Sequence, residues 1–354
     1  MSVPWRCEQR ETGEERAGRS CRVGRQRAVE LVGSAYVECE MQDGQTSGSC
    51  VFSGDLGAGN NPLLRPLQPP ERADVLVLES TYGDRLNPHP SDRVHRLAAA
   101  IDRALADQGT ILIPAFSLGR TQELLYELEE VLYRKALLGR AGGSPDGEPV
   151  DWSQLPIILD SPLAERITAV YRELHAFWNE EARARRAAGR DPLAFGQLIC
   201  VDTHARHQQV VNYLKSTGRP AIVIAGNGMC SGGRIVNYLK AMLGDRRHEV
   251  MFVGYQARGT PGAVIQALEG SNDVGEVNLE GEGYEVRAKV TTLTGYSGHA
   301  DQAGLVAFAT SMHRPPGRTV LVHGSRSAKV ALSRALSTQH SRLQWETKIV
   351  IPGE

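Results

Sequence analysis

The feature that most limits how this 354-residue chain can fold is an alternation of short apolar runs with amphipathic helical stretches. Residues 74–78 (Asp-Val-Leu-Val-Leu), 110–114 (Thr-Ile-Leu-Ile-Pro), 157–159, 197–201, 221–225 and 249–253 have the pattern of strands buried on both faces. Between them lie helical patterns. Over residues 91–107, Ser91 is the expected N-cap, Val94, Leu97, Ala98, Ile101 and Leu105 share a face, and Gly109 ends the run. Over 120–138, Leu124, Leu125, Leu128, Val131 and Leu132 point inward. Further helices are expected over 162–178, 204–215 and 233–243. Repeated strand–helix units predict a parallel sheet covered on both faces.

Outside this stretch, residues 31–41 and 49–53 read as a hairpin around Gln42-Asp43-Gly44. Residues 139–154 read as a loop, and the basic patch 183–190 as a solvated helix end. Strands are expected over 275–280, 285–292 and 319–322, and helices over 302–311 and 328–339. Residues 1–28, with seven Arg, four Glu and no periodicity, read as a disordered arm. No apolar run approaches the roughly 20 residues of a membrane helix, and the polar N-terminus is not a secretory signal. Six scattered cysteines without a C-x-x-C pair favour reduced thiols and a cytoplasmic location. A net charge of −1 neither supports nor excludes nucleic acid.

Polar titratable groups recur where apolar runs end. Asp55 sits in Ser53-Gly54-Asp55-Leu56-Gly57, and Glu79 directly follows residues 74–78. His299 lies in Gly295-Tyr296-Ser297-Gly298-His299-Ala300-Asp301, and His323 in Leu321-Val322-His323-Gly324. Each is weak alone, since an Asp in a turn usually caps and a lone His is usually a structural hydrogen-bonder. Together they are the kind of His/carboxylate set that holds zinc and activates water. The segment Gly226-Asn227-Gly228-Met229-Cys230-Ser231-Gly232-Gly233-Arg234 joins a strand to a helix. Its backbone N–H groups suit a phosphate, though it is neither a dinucleotide fingerprint nor a P-loop. Arg120, at a second strand-to-helix junction, either meets a phosphate or is simply solvated.

In order, the segments 53–57, 79–85, 113–123, 159–164, 225–234, 252–256, 295–301 and 322–324 resemble the β-CASP branch of the metallo-β-lactamase superfamily. That branch includes bacterial RNA-processing nucleases and the eukaryotic pre-mRNA 3′-end cleavage factor. The resemblance runs from about residue 31 to the C-terminus. It implies an α/β fold, a metallo-β-lactamase αββα sandwich whose first part is missing here, interrupted by a Rossmann-like parallel β-CASP domain. The implied division is an atypical segment at 1–28, a partial lactamase domain at 29–115, the β-CASP domain at 116–252 and the lactamase C-terminal part at 253–354.

The resemblance further implies a ribonuclease that cuts single-stranded RNA with two zinc ions, in the cleft between the domains. Asp55 matches the bridging aspartate, His323 a metal-ligand histidine, Glu79 an orienting carboxylate and His299 the acid for the leaving oxygen. Gly226, Gly228, Ser231, Gly232 and Arg234, with Arg120, match an RNA-phosphate segment. The family's His-x-His-x-Asp-His motif occurs nowhere in the 354 residues, and Glu30 stands where a ligand histidine belongs. The expectation is therefore an N-terminally incomplete chain with weak or lost zinc binding and weak or absent cleavage. The alternative is a non-catalytic homologue that binds RNA or a partner. A homodimer is carried as a possible assembly, and no membrane role is expected. Uncovered apolar faces are expected at Val75, Leu76, Leu78 and residues 31–37.

Overall fold

The computed structural model describes residues 19–28, 31–43, 45–59, 61–87, 90–137, 152–271, 273–296 and 298–353. Its elements, in chain order, begin with β1 (Arg19–Arg27), β2 (Ala35–Asp43), β3 (Thr46–Phe52), β4 (Val75–Glu79), α1 (Pro90–Ala106), β5 (Thr110–Pro114) and α2 (Arg120–Leu137). There follow β6 (Ile157–Asp160), α3 (Pro162–Glu173), α4 (Glu180–Ala187), β7 (Leu198–Cys200), α5 (His204–Thr217), β8 (Ala221–Ala225), α6 (Arg234–Met242) and β9 (Glu249–Phe252). The last are α7 (Pro261–Gln266), β10 (Gly275–Leu279), β11 (Glu282–Val286), β12 (Lys289–Thr292), α8 (Gln302–Thr310), β13 (Arg318–Val322), α9 (Arg326–Leu343) and β14 (Lys348–Val350). Among the described residues no helix is long and apolar enough to cross a membrane.

The chain divides into two compact units. One comprises residues up to Asn87 and from Gly298 onward, the other Pro88–Ser297. The first contains a six-stranded sheet in the order β1-β2-β3-β4-β13-β14. β1, β2 and β3 run antiparallel, and β3, β4, β13 and β14 are parallel neighbours. Because side chains alternate along a strand, Tyr36, Val51, Leu76, Leu78 and Leu321 fall on one face. There they pack with Leu305 and Phe308 of α8 and Leu332 and Leu336 of α9. The Tyr36 and Phe308 rings meet edge to face at 5.4 Å. Each leucine fully buried here contributes about 2 kcal/mol.

Two expectations change here. Leu76 and Leu78 are not uncovered, since both are fully buried beneath α8 and α9. The exposed apolar residues belong to the opposite face, where Val23, Met41 and Phe52 lie in alternate register with Cys39 and Cys50. Nor is the whole arm unstructured. Arg19–Arg27 is β1, whose backbone pairs with β2 over its full length despite the charged side chains. Residues 1–18 and Glu30 lie outside the described residues.

The second unit is built on six strands in the order β12-β9-β5-β8-β6-β7, every neighbouring pair parallel. β5, β8 and β9 are buried throughout, including Thr110 and Glu249 at the starts of β5 and β9. Helices α5, α6 and α7, with the β10–β11 hairpin, form one core with this sheet through Val211, Leu214, Ile235, Leu239, Ile265, Val277 and Val286. From β5 the chain moves through α2 toward β6 on one side. From the adjacent β8 it moves through α6 toward β9 on the other. Right-handed crossovers therefore place α2 and α6 on opposite faces, with a crevice at the carboxyl ends of β5 and β8. The stretch 285–292, read as one strand, is split. β11 ends at Val286 in the hairpin, and β12 starts at Lys289 in the main sheet. The patch at 183–190 is not simply solvated, because Arg185 and Arg190 pair with Glu130, and Arg190 also with Glu129.

Candidate metal centre and proton donor

In the first unit, β4 and β13 run parallel with Glu79 opposite Val322, so Glu79 and His323 leave the sheet at the same edge. Ser80 ties the two loops together. Its N–H donates to the His323 carbonyl at 2.8 Å, and its hydroxyl contacts the carbonyls of Val322 and His323. This closeness explains Gly324. Its φ is +140°, and a Cβ there would stand 2.6 Å from the Ser80 carbonyl oxygen. β3 delivers the Ser53–Gly57 turn beside Glu79, where Ser53 Oγ accepts from the Glu79 N–H at 2.9 Å. Gly54 takes the left-handed φ of +55° that turns the chain toward Asp55. His299 is carried to the same place by a β-bridge with Gly57 and a bond from Ala300 N–H to the Leu56 carbonyl at 2.7 Å.

The four side chains form two His–carboxylate couples. Glu79 is buried and accepts from Leu56 N–H at 2.6 Å and from the Thr81 hydroxyl. Its carboxylate faces His299 Nδ1 at 3.1 and 3.3 Å. A carboxylate only accepts, so Nδ1 is the nitrogen that donates in this couple. His323 Nδ1 lies 3.1 Å from Asp55 Oδ1, and these side chains are 59% and 40% exposed. The His299 and His323 rings are 6.0 Å apart, and Tyr82 packs edge-on against His299 at 5.9 Å. Among the described residues, Asp55, Glu79 and His299 form a group whose possible ligand atoms all lie within 4.8 Å of one another. Two carboxylates and an imidazole are a donor set that zinc accepts. Glu79 already accepts from three groups, which suits it to aligning His299. Asp55, His299 and His323 keep the more open positions. Ser325, just beyond, caps α9 by accepting from Ala328 N–H at 3.1 Å.

The remaining predicted residues lie in the second unit. Gly226, Gly228, Ser231 and Gly232 form the loop between β8 and α6. Part of its backbone bonds internally, with Asn227 N–H to the Gly232 carbonyl at 3.2 Å and Cys230 N–H to the Asn227 carbonyl at 3.1 Å. Arg234 and Arg120 do not stand open to a phosphate. Arg234 donates to Asp160 at 2.6 Å and to the carbonyls of Val201 and Asp202. Arg120 pairs with Glu123, one turn along α2. Sequence reasoning passed over the group that holds Arg234. Asp160 ends β6 fully buried, 2.7 Å from His207 Nδ1, and accepts from the Tyr238 hydroxyl at 2.5 Å. Burial, then the bond to Asp160, raises the Tyr238 pKa and keeps it a donor. The available signal was an acid ending an apolar run, Ile157-Ile158-Leu159-Asp160, the same signal that marks Glu79.

Residues 121–265 match the Beta-Casp domain, and residues 283–350 match the Zn-dependent metallo-hydrolase RNA specificity domain. Ribonuclease TTHA0252 of Thermus thermophilus is 36% identical over 310 residues, 88% of this chain and 64% of that protein. Transcription termination factor FttA is 28% identical over 327 residues in Methanosarcina mazei, 91% of this chain and 47% of the relative. The Thermococcus kodakarensis FttA is 30% identical over 316 residues, 87% and 45% respectively. The chain thus spans between about half and two thirds of the length of these relatives. With both domain matches, these relatives and a mixed α/β fold of parallel sheets, the chain belongs to the β-CASP ribonuclease family of the metallo-β-lactamase superfamily.

Proposed function

We propose that this protein acts on single-stranded RNA as a zinc-dependent phosphodiester hydrolase whose metal binding and turnover are weakened in this chain. The observation that carries the reading is the Glu79–His299 couple beside Asp55 and His323. Zinc, when bound, supplies a Lewis acid and an activated water. Asp55 and His323 would hold it, with His299 beside them. Glu79 fixes the ring orientation and tautomer of His299, so that Nε2 gives its proton to the departing oxygen. The backbone of the loop 226–232 contacts the RNA phosphates. The RNA reading is supported by the RNA specificity domain match and by the relatives' names. Weakened metal binding is supported by the absence of any His-x-His-x-Asp-His segment in the 354 residues, which leaves fewer donors than two zinc ions need.

That same absence favours a second reading, a protein that binds RNA without cutting it. One experiment separates them. The purified chain is dialysed against zinc, its metal content measured, and a labelled single-stranded RNA incubated with wild type and His299→Ala. The expected outcome is fewer than two zinc ions per chain and slow cleavage that His299→Ala removes. RNA binding with cleavage indistinguishable from His299→Ala supports the second reading. Two tightly held zinc ions with fast cleavage overturn the weakened site, and no RNA binding at all overturns both.

A further inference from the structure

We infer that the crevice at the carboxyl ends of β5 and β8 is a nucleobase-stacking subsite for single-stranded RNA, with the Phe116 ring as its platform and Tyr255 on the adjoining loop. The inference rests on the RNA reading above and adds which part of the nucleotide this surface takes.

The position comes from topology. β5 and β8 are adjacent parallel strands whose outgoing connections turn to opposite faces, the arrangement that opens a ligand crevice at the carboxyl edge of an α/β sheet. Phe116 is the second residue beyond β5. Ala115 before it is buried, yet Phe116 is 49% exposed. Its exposure is not slackness. The Phe116 carbonyl accepts from the Thr121 hydroxyl at 2.8 Å. The ring lies against the bare Cα of Gly228, where a Cβ would stand 3.0 Å from Cδ2 and 3.1 Å from Cε2. One side of the ring is thus supported while the rest meets solvent. Gln256 donates to the Gly228 carbonyl at 2.9 Å and so ties the loop after β9 to the loop after β8. Its neighbour Tyr255 is 61% exposed.

Charge selects the occupant. The four segments at this edge, residues 115–119, 161–163, 226–233 and 254–259, contain no Asp or Glu, and Arg258 is their one charged residue. Asp160, which ends β6, is buried and bonded to Arg234, His207 and Tyr238. Hydroxyls are present instead, with Ser117 and Ser161 3.1 Å apart. A surface of supported aromatic rings, hydroxyls and no acid accepts a polyanion whose bases stack, which is how single strands are held without base-edge reading.

The test compares a short single-stranded RNA with an abasic ribose-phosphate oligomer of equal length, by anisotropy at one salt concentration, on the full chain. Phe116→Ala is expected to weaken RNA binding about 5- to 150-fold and leave the abasic oligomer unchanged. Tyr255→Ala is expected to act in the same sense. Phe116→Trp, which keeps a stacking ring and reports folding, is expected to retain affinity and to be quenched by RNA but not by the abasic chain. Equal loss on both oligomers, or none on either, overturns the stacking subsite while leaving RNA binding intact. Wild-type protein that binds neither oligomer overturns the RNA reading and this subsite with it. Capture of a protein at this face that RNA does not displace overturns the subsite as well.

Discussion

Glu79 and Asp160 look alike in the sequence and end up in different chemistry. Each is the last residue of an apolar strand, each is buried, and each faces a histidine Nδ1, at 3.1 Å for His299 and 2.7 Å for His207. The difference is what else arrives. Asp160 also receives Arg234 and the Tyr238 hydroxyl, and His207 has no exposed surface and contacts Asn237 through Nε2 at 2.8 Å. Both nitrogens of that ring are committed, so the couple holds α5, α6 and β6 together. His299 keeps 23% of its side chain open, beside Asp55 and His323. A buried carboxylate–histidine couple becomes a proton donor only where the far nitrogen faces a ligand space.

The largest effect expected from this contrast is on stability at Asp160. Asp160→Ala leaves a guanidinium, an imidazole and a phenol without their shared acceptor and is expected to cost about 3–5 kcal/mol. His207→Ala is expected to cost about 2–4 kcal/mol through a cavity and a carboxylate with one fewer partner. Urea unfolding measures both, and a loss under about 1 kcal/mol for Asp160→Ala would erase the distinction. Glu79→Gln comes next. The amide oxygen can still accept from Leu56 N–H, but the amide cannot accept everything the carboxylate does. The expected loss is about 1–2 kcal/mol. Nitrogen NMR of the His299 ring supplies the decisive readout, because an unchanged tautomer in Glu79→Gln contradicts the orienting role.

The same pair shows how far the sequence could be read. Apolar runs locate β5, β6, β8 and β9, which are buried on both faces, and β4, whose Leu76 and Leu78 are buried while Val75 and Val77 are half-buried. Asp55, Glu79, His299 and His323 stand out in the sequence as ionisable groups at the ends of apolar runs, all but Glu79 beside a glycine. What was not legible depends on partners remote in sequence. Nothing local at Arg234 reveals that Asp160, 74 residues away, claims its guanidinium. Nothing in residues 74–78 says which face α8 and α9 cover, so Leu76 and Leu78 read as exposed when they are core. β1 was missed because its pairing is made by backbone with β2, while its composition is that of an unpaired arm.

A smaller effect sharpens the contrast from the other side. His299→Ala removes a partly open side chain and leaves Glu79 with Leu56 N–H and Thr81 still bonded, so the expected stability loss is about 1 kcal/mol or less. A loss as large as that of His207→Ala would make His299 a second structural histidine and remove the reason to assign it proton transfer.

The finest test concerns a histidine that has a hydrogen-bond donor where the other two have a carboxylate. Thr110 N–H donates to His248 Nδ1 at 2.9 Å, so that nitrogen must be unprotonated. Burial is the main cause that lowers the His248 pKa below its ordinary 6.5. Arg247 acts in the same sense, and Asp245, 3.9 Å away, opposes it. The unfolded chain therefore binds the proton more readily than the folded one. The stability His248 contributes is complete above about pH 6.5 and is lost as pH falls toward the folded value. His340, also lowered by burial, adds the same sign, while buried Glu249, raised by burial, adds the opposite one. Comparing wild type with His248→Asn cancels those contributions. The wild-type advantage in urea midpoint is expected to be larger at pH 8 than at pH 5.5. An advantage that grows on acidification would mean His248 is held as a cation, and its separation from the two carboxylate-bound histidines would collapse.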